Sequence, residues 1–255
     1  MTVTITPPRE ILELIQAGAL FVVNHSGGKD SQAMHALLRR LVPADRLIVV
    51  HATLGRIEWP GTLEHIYQNA GEIPVHVAAP ATGFFDMVRR RGHWPTPKYR
   101  QCTSDLKRTP IEREVRRLCK ARGEQLIVTC MGMRAEESSS RARLATFKLS
   151  KRNSKAGRRW FEWLPIHHLS EAEVFQAIAE AGESPHWAYA AGMSRLSCSF
   201  CIMASLADLT CAARLRPDLY AEYVALESEL GKTFRIPGTA GPETLEQITG
   251  VAAAA

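Results

Sequence analysis

Residues 26–31 read Ser-Gly-Gly-Lys-Asp-Ser and follow a short apolar run, Leu20–Asn24. A glycine-rich turn between a strand and a helix makes an anion site, because unpaired backbone N–H groups and the positive end of the helix dipole converge there. The paired glycines let the backbone come close, and Ser26, Ser31 and Lys29 add donors. The spacing differs from a Walker A loop, which places four residues between its glycines before the lysine. The bland alternative is a tight strand-to-helix turn with chance polar residues. His25 is read either as a phosphate contact or as a strand-end histidine with an ordinary hydrogen bond, and Asp30 either as a Mg²⁺ ligand or as a helix cap. His51 and Thr53 end the next apolar run, at the edge where open α/β sheets bind ligands, which makes them candidate neighbours of a nucleoside.

Cysteine supplies the second kind of chemistry. Cys198 and Cys201 form a Cys-x-x-Cys with Cys211 downstream, and Cys102, Cys119 and Cys130 complete the six. Two thiolates at this spacing can hold one metal ion or one cluster corner, but the spacing alone is a weak signal. Iron–sulfur ligation, a structural zinc with His186 or His168 as fourth ligand, and unligated thiols are the readings open here. Cys119 and Cys130 read as core thiols. Six cysteines in 255 residues are too few and too unevenly spaced for a secreted disulfide scaffold.

The elements needed to position these residues are those of βαβ units. Strands are predicted at 20–24, 46–51, 74–78 and 125–131, with helices at 31–41, 60–70 and 103–122. Residues 134–159 lack apolar periodicity and read as a basic loop, followed by a short edge strand in 160–166 that Pro165 ends. Ser170 with Glu173 has capping-box spacing and opens a helix to Ala181. Two further helices are expected at 203–214 and 217–230. The fold class is therefore α/β: an open, mostly parallel sheet flanked by helices at residues 1–166, and a helical C-terminal subdomain at 167–255. The terminal alanines 252–255 read as a frayed end.

The net charge of +6 hides two opposed parts. Residues 89–122 hold 12 basic and 3 acidic side chains, residues 134–159 hold 9 and 2, and the remainder sums to −10. An acidic body with a basic middle points to a polyanionic partner, nucleotide or nucleic acid. The run Arg141, Arg143, Lys148, Lys151, Arg152, Lys155, Arg158 and Arg159 reads either as a solvated loop or as a contact for a phosphate backbone. Of the tryptophans Trp59, Trp94, Trp160, Trp163 and Trp187, most are expected to pack and at most one to stack on a base. No apolar run approaches a membrane span, and the acidic N-terminal stretch is unlike a signal peptide, so a cytoplasmic location is expected.

With these residues in hand, the chain resembles a known family. Ser26-Gly27-Gly28-Lys29-Asp30-Ser31 resembles the signature of the PP-loop ATP pyrophosphatases, and the likeness is to the phosphoadenosine phosphosulfate reductase branch over roughly residues 15–215. Gly132-Met133-Arg134-Ala135-Glu136-Glu137-Ser138 looks like the second phosphate motif, Tyr99-Arg100-Gln101-Cys102 with Leu106-Lys107 and Pro110 like the cysteine-plus-basic motif, and Arg195–Cys201 like the downstream Cys-x-x-Cys. The resemblance implies an adenine nucleotide alpha hydrolase-like, Rossmann-like fold and ATP with Mg²⁺ as cofactor. It implies binding by Ser26, Gly27, Gly28, Lys29, Asp30, Ser31, His51, Thr53, Gly132 and Arg134, with Lys29, Asp30 and Arg134 catalytic. It also adds Cys102 to Cys198, Cys201 and Cys211 as ligands of an iron–sulfur cluster of the 4Fe-4S type.

Two departures from the reductase pattern matter. The glycine loop is intact, and no cysteine follows Cys211, so the C-terminal Glu-Cys-Gly nucleophile of the reductases is missing. Both point to relatives of the DNA phosphorothioation type, DndC and SspD. The implied activity is adenylation of an oxygen acceptor, a DNA backbone phosphate, for sulfur incorporation. A cysteine desulfurase would be the sulfur donor, other phosphorothioation proteins would be partners, and there would be no membrane. A sulfonucleotide reductase, a tRNA thiolase, and a non-catalytic nucleotide-sensing DNA-binding subunit are the alternatives.

Overall fold

The computed structural model describes residues 2–235 and 241–253; Ala254 and Ala255 of the expected frayed end lie outside the described residues. Among the described residues, six strands are present, β1 (Leu20–Asn24), β2 (Leu47–Ala52), β3 (Val75–Ala78), β4 (Leu126–Met131), β5 (Phe147–Leu149) and β6 (Arg159–Trp163). The helices are α1 (Arg9–Gln16), α2 (Lys29–Leu38), α3 (Thr62–Ala70), α4 (Phe84–Arg91), α5 (Gln101–Thr103) and α6 (Thr109–Arg122). They continue with α7 (Ser139–Ala142), α8 (Glu171–Glu180), α9 (Trp187–Ala190), α10 (Leu206–Leu215), α11 (Pro217–Leu230) and α12 (Leu245–Thr249).

The sheet runs β3-β2-β1-β4-β6-β5. All neighbours are parallel except β5, which is antiparallel to β6. The order reverses between β1 and β4, and in open α/β sheets the crevice beyond such a reversal is where ligands bind. The loop that begins at Ser26 follows β1, and Gly132 follows β4. Both segments therefore leave the sheet at the switch point.

Alternation along the strands divides the core into two layers. Phe21, Val23, Leu47, Val49, Val128, Cys130, Phe161 and Trp163 share one buried cluster with Ala33, Met34, Leu37 and Leu38 of α2 and Val174, Ala177 and Ile178 of α8. Leu20, Val22, Ile48, Val50, Ile127 and Trp160 share another with Val115, Leu118 and Cys119 of α6. Covered on both faces, the strands read as continuous apolar runs, which is why the sequence locates them closely.

Three expectations need correction. The basic stretch 134–159 is not wholly loop: it contains α7 and β5, and β6 is interior because β5 takes the edge. Stacking of Phe147 on Phe161, with centroids 5.3 Å apart, and the Ser150 N–H to Trp160 carbonyl bond hold that hairpin. A three-residue strand is too short to show a period. The helix expected at 103–122 is interrupted by a π-helical turn at Ser104–Arg108, which carries Lys107. The division at residue 166 is also replaced. One compact unit comprises 1–52, 62–78 and 111–186; the other comprises 53–61, 79–110 and 187–255. The helix opened by Ser170, with its capping box to Glu173 formed, belongs to the first unit because α8 packs in the layer that covers α2.

The second unit is helical and built on aromatics. Trp94 stacks on Tyr223 at 5.7 Å with an interplanar angle of 8°. Phe84, Phe200 and Phe234 surround Tyr223, and the Trp94 indole donates to the Lys232 carbonyl at 2.9 Å.

Phe21 is fully buried at the centre of the sheet, edge-on to Trp163 at 6.3 Å. Truncating such a residue loses transfer energy and leaves a cavity, so Phe21→Ala is expected to lower the stability of this unit by about 3–5 kcal/mol in urea unfolding. A loss below about 1 kcal/mol would contradict its placement in the core.

Candidate nucleotide site

The loop after β1 is set by glycine geometry. Gly27 has φ +78°, in the left-handed region that side chains disfavour. Gly28, the residue before α2, is extended at φ −81° and ψ 159°, and no side chain caps the helix. Ser31 braces the turn from inside: its Oγ donates to the Gly28 carbonyl at 2.9 Å and accepts the Ser26 N–H at 3.1 Å. The result is an α2 N-terminus without a side-chain cap, an arrangement that suits an anion.

Gly132 abuts this turn from β4. A Cβ placed there would lie 2.9 Å from the Asp30 carbonyl oxygen and 3.1 Å from the Ser31 nitrogen. Both are backbone atoms that cannot move aside. The requirement at Gly132 is therefore close approach between two chain segments.

Two buried cations flank the loop. Lys29 is 3% exposed, with Nζ 3.1 Å from Glu171 and 3.7 Å from Asp30. Arg134 is 4% exposed; its Nε donates to Asp30 Oδ1 at 2.6 Å, and its Nη1 pairs with Glu136 and donates to the Leu169 carbonyl at 3.4 Å. Burial works against the Arg134 charge, but Asp30 and Glu136 hold its pKa above the ordinary arginine value. Glu136 also accepts the first amide of α8, from Glu171, at 2.8 Å. Asp30 thus neither caps α2 nor stands apart from the cations: it bridges them. Among the described residues, no three His, Cys, Asp or Glu side chains are grouped to hold a metal ion. Mg²⁺ at this site would come as its nucleotide complex, held by phosphates with one or two carboxylates.

The structure brings Ser26, Gly27, Gly28, Lys29, Asp30, Ser31, Gly132 and Arg134 together in the first unit. His51 is buried there, and its Nδ1–H donates to the His25 carbonyl at 2.9 Å, which ties β2 to the loop. Thr53 belongs to the second unit, where its hydroxyl donates to Glu58 at 3.3 Å. His25 is a buried strand-end residue. Trp59, Trp94, Trp160 and Trp163 are buried as expected of packing residues, whereas Trp187 is 44% exposed with its indole on the Pro60 carbonyl. Glu136 and Glu171 were missed by sequence reasoning. Glu136 lies inside the Arg134 motif and could have been found there; Glu171 joins the site only through the tertiary position of α8.

Part of the basic run is internally neutralised. Arg141 pairs with Glu137, Lys148 with Glu162 at 3.2 Å and Arg152 with Glu112 at 2.9 Å, and Arg159 lies over the Phe161 ring. Among the described residues, Arg143, Lys151 and Lys155 have no carboxylate at ion-pair distance, and all three are exposed.

Three of the four cysteines expected to hold a cluster share one neighbourhood in the second unit. Burial pushes the Cys198 thiol up to about 12, with Lys107 opposing and Cys201 and Cys102 adding to the shift. The Cys198 charge in turn holds Lys107 above the ordinary lysine value, against the cost of burying it, with smaller contributions from Cys201, Cys102 and Glu58. Cys211 sits elsewhere in that unit: its thiol is 3.3 Å from the Ala191 carbonyl, and the charges acting on it are Asp208 and Arg214. The four-cysteine set for an iron–sulfur cluster is therefore not assembled, nor is any other three-donor metal group among the described residues. His186, the alternative zinc ligand, packs edge-on against His65 in the first unit. Cys119 and Cys130 are buried core thiols, as read from the sequence.

The phosphoadenosine phosphosulfate reductase domain model matches residues 21–204, and the chain belongs to that family of nucleotide-binding folds. A protein of Escherichia phage 186, described as a 37.8 kDa protein in the gpa 5′ region, is 26% identical over 170 residues, covering 64% of this chain. The chain spans about half the length of that relative, 50% of it. Among solved structures, phosphoadenylyl-sulfate reductase from Candida auris, in a phosphate complex, superposes with a TM-score of 0.48 at 14% identity, covering 76% of this chain and 97% of the other. FMN adenylyltransferase from Candida glabrata, with FAD and inorganic pyrophosphate, gives 0.45 at 12% identity, covering 71% and 55%. No helix among the described residues is long and apolar enough to cross a membrane.

Gly132→Ala is expected to push the β4 loop from α2, costing about 1–3 kcal/mol in stability and weakening ATP binding more than a surface substitution would. Unchanged binding by calorimetry would contradict the close approach. A second expectation concerns acid. Burial, with Arg39 nearby, lowers His35 from 6.5 to about 3, so the unfolded chain takes its proton first. This group's contribution is fully present above pH 6.5 and is lost as the pH falls, by about 1.4 kcal/mol per unit over the window down to the folded value. Urea unfolding between pH 6.5 and 5 should show a loss that shrinks in His35→Gln; equal slopes in the two proteins would contradict it.

Proposed function

We propose that the chain binds ATP with its triphosphate in the Ser26–Ser31 loop and adenylates an oxygen acceptor, a backbone phosphate of DNA, preparing it for replacement by sulfur. The observation that supports this reading is the pairing of an intact, uncapped glycine turn with two buried cations, Lys29 and Arg134. Their carboxylate partners hold them in place until phosphates supply stronger charge-assisted contacts. An acceptor oxygen attacks the α-phosphorus and pyrophosphate leaves, its developing charge met by the α2 N-terminus, Lys29 and Arg134. Positioning and charge stabilisation supply the rate, and no side chain need form a covalent bond. The acceptor phosphate then carries AMP as a leaving group; the outer sulfur of a persulfide on a partner cysteine desulfurase displaces it, and a second thiol cleaves the resulting S–S bond, leaving sulfur on phosphorus and a disulfide. The exposed Arg143, Lys151 and Lys155 suit contact with a nucleic-acid backbone.

Family membership favours a second reading, reduction of a sulfonucleotide. A pyrophosphate-release assay with ATP alone, with DNA and with RNA separates the readings. DNA-stimulated release supports the proposal, RNA-stimulated release supports a tRNA thiolase, ATP binding without release supports a nucleotide sensor, and thioredoxin-dependent sulfite release from the sulfonucleotide supports the reductase. Lys29→Ala is expected to lower pyrophosphate release by about 10²–10³-fold, the cost of losing one preorganised charge donor. Release at the wild-type rate would contradict the role given to Lys29.

A further inference from the structure

We propose that His25 is a positioning residue of the phosphate loop, acting as a neutral imidazole whose Nδ1 accepts the Gly27 N–H and so fixes the turn that presents α2 to a polyphosphate. This rests on the reading of the loop as a triphosphate site. The residue is anchored on β2 through its backbone: its N–H donates to the Val50 carbonyl at 3.0 Å, and its own carbonyl accepts the His51 Nδ1–H at 2.9 Å. Its ring is then directed back into the loop, with Nδ1 3.0 Å from the Gly27 nitrogen and 3.4 Å from Ser31 Oγ.

A backbone N–H can only donate, so Nδ1 must be without a proton, and the neutral ring carries its hydrogen on Nε2. The groups around the imidazole keep it so. His35 meets it edge-on at 5.8 Å from α2, Arg39 acts on it from the same helix, His51 from β2 and His65 from α3. Each is cationic or becomes so on protonation, and none is a carboxylate that would stabilise an imidazolium. With the ring 2% exposed, burial comes first among the causes that hold its pKa well below the ordinary histidine value. Protonation of Nδ1 would set two N–H groups against each other at the residue whose left-handed conformation makes the turn.

The link accounts for a histidine two residues before Gly27. The Gly27 N–H lies buried in the turn, and a buried donor needs an acceptor. His25 Nδ1 is that acceptor, and Ser31 Oγ closes the other side of the same turn.

The test uses the full chain with ¹⁵N-labelled histidine and ATP·Mg²⁺ as the probe. The expected result is an Nε2–H tautomer at His25 and slow exchange of the Gly27 amide. Replacing the acceptor in His25→Leu should speed Gly27 exchange and weaken ATP binding by about tenfold each, the worth of one buried hydrogen bond. His25→Asn, whose Oδ1 takes the place of Nδ1 but does not ionise, should recover affinity to within about threefold. An Nδ1–H tautomer, fast Gly27 exchange in the wild type, or unchanged Gly27 protection in His25→Leu would overturn the proposal. Should ATP fail to bind the wild type, the triphosphate reading falls, while the tautomer and the Gly27 exchange rate still decide the role of His25.

Discussion

The approach of Gly132 to the first turn of α2 is the constraint on which the site depends. Two chain segments that leave neighbouring parallel strands meet at backbone contact, with room for no Cβ between them. That contact lies where the strand order reverses, and the Arg134 guanidinium lies within 2.6 Å of Asp30. A buried arginine and a buried lysine at a helix N-terminus would otherwise oppose the helix dipole and each other. Asp30, Glu136 and Glu171 offset that repulsion and leave cations already in position for an anion.

The same arrangement explains why the local charge is nearly balanced although the segment is basic. Counting side chains suggests an open positive surface over 134–159, yet several of these groups face carboxylates from other elements, as Arg152 does with Glu112 of α6. The positive charge of that run without a carboxylate at ion-pair distance is narrower: among the described residues it is the exposed Arg143, Lys151 and Lys155, while the buried Lys29 and Arg134 are held by Asp30, Glu136 and Glu171. Small reserved charge at a preorganised site serves catalysis better than diffuse charge, because little reorganisation is needed as the reaction proceeds.

Much of this was legible in the sequence, for identifiable reasons. β1, β2 and β4 are buried on both faces and show as continuous apolar runs, and the glycine loop is contiguous, so strand, turn and helix are read together. The Ser170–Glu173 capping box is local and was equally readable. What escaped was non-local. β5 is three residues long and is held by a cross-strand aromatic stack; the discontinuous units follow from which layers segments 53–61 and 79–110 join; and the separation of Cys211 from Cys102, Cys198 and Cys201 depends on the packing of α10. His25 was readable as a strand-end residue, but its Nδ1 partner is set by the glycine turn's conformation, which residue types alone do not specify.

The central claim is that the loop, Lys29 and Arg134 form a site for the β- and γ-phosphates of a nucleotide. The most direct measurement is the ranking of affinities for ATP, inorganic pyrophosphate and AMP by calorimetry at constant Mg²⁺ and ionic strength. The account requires ATP to bind tightest and pyrophosphate to compete with it, with AMP weaker by at least about tenfold for want of the charge-assisted phosphate contacts. AMP binding as tightly as ATP, with pyrophosphate failing to compete, would contradict it.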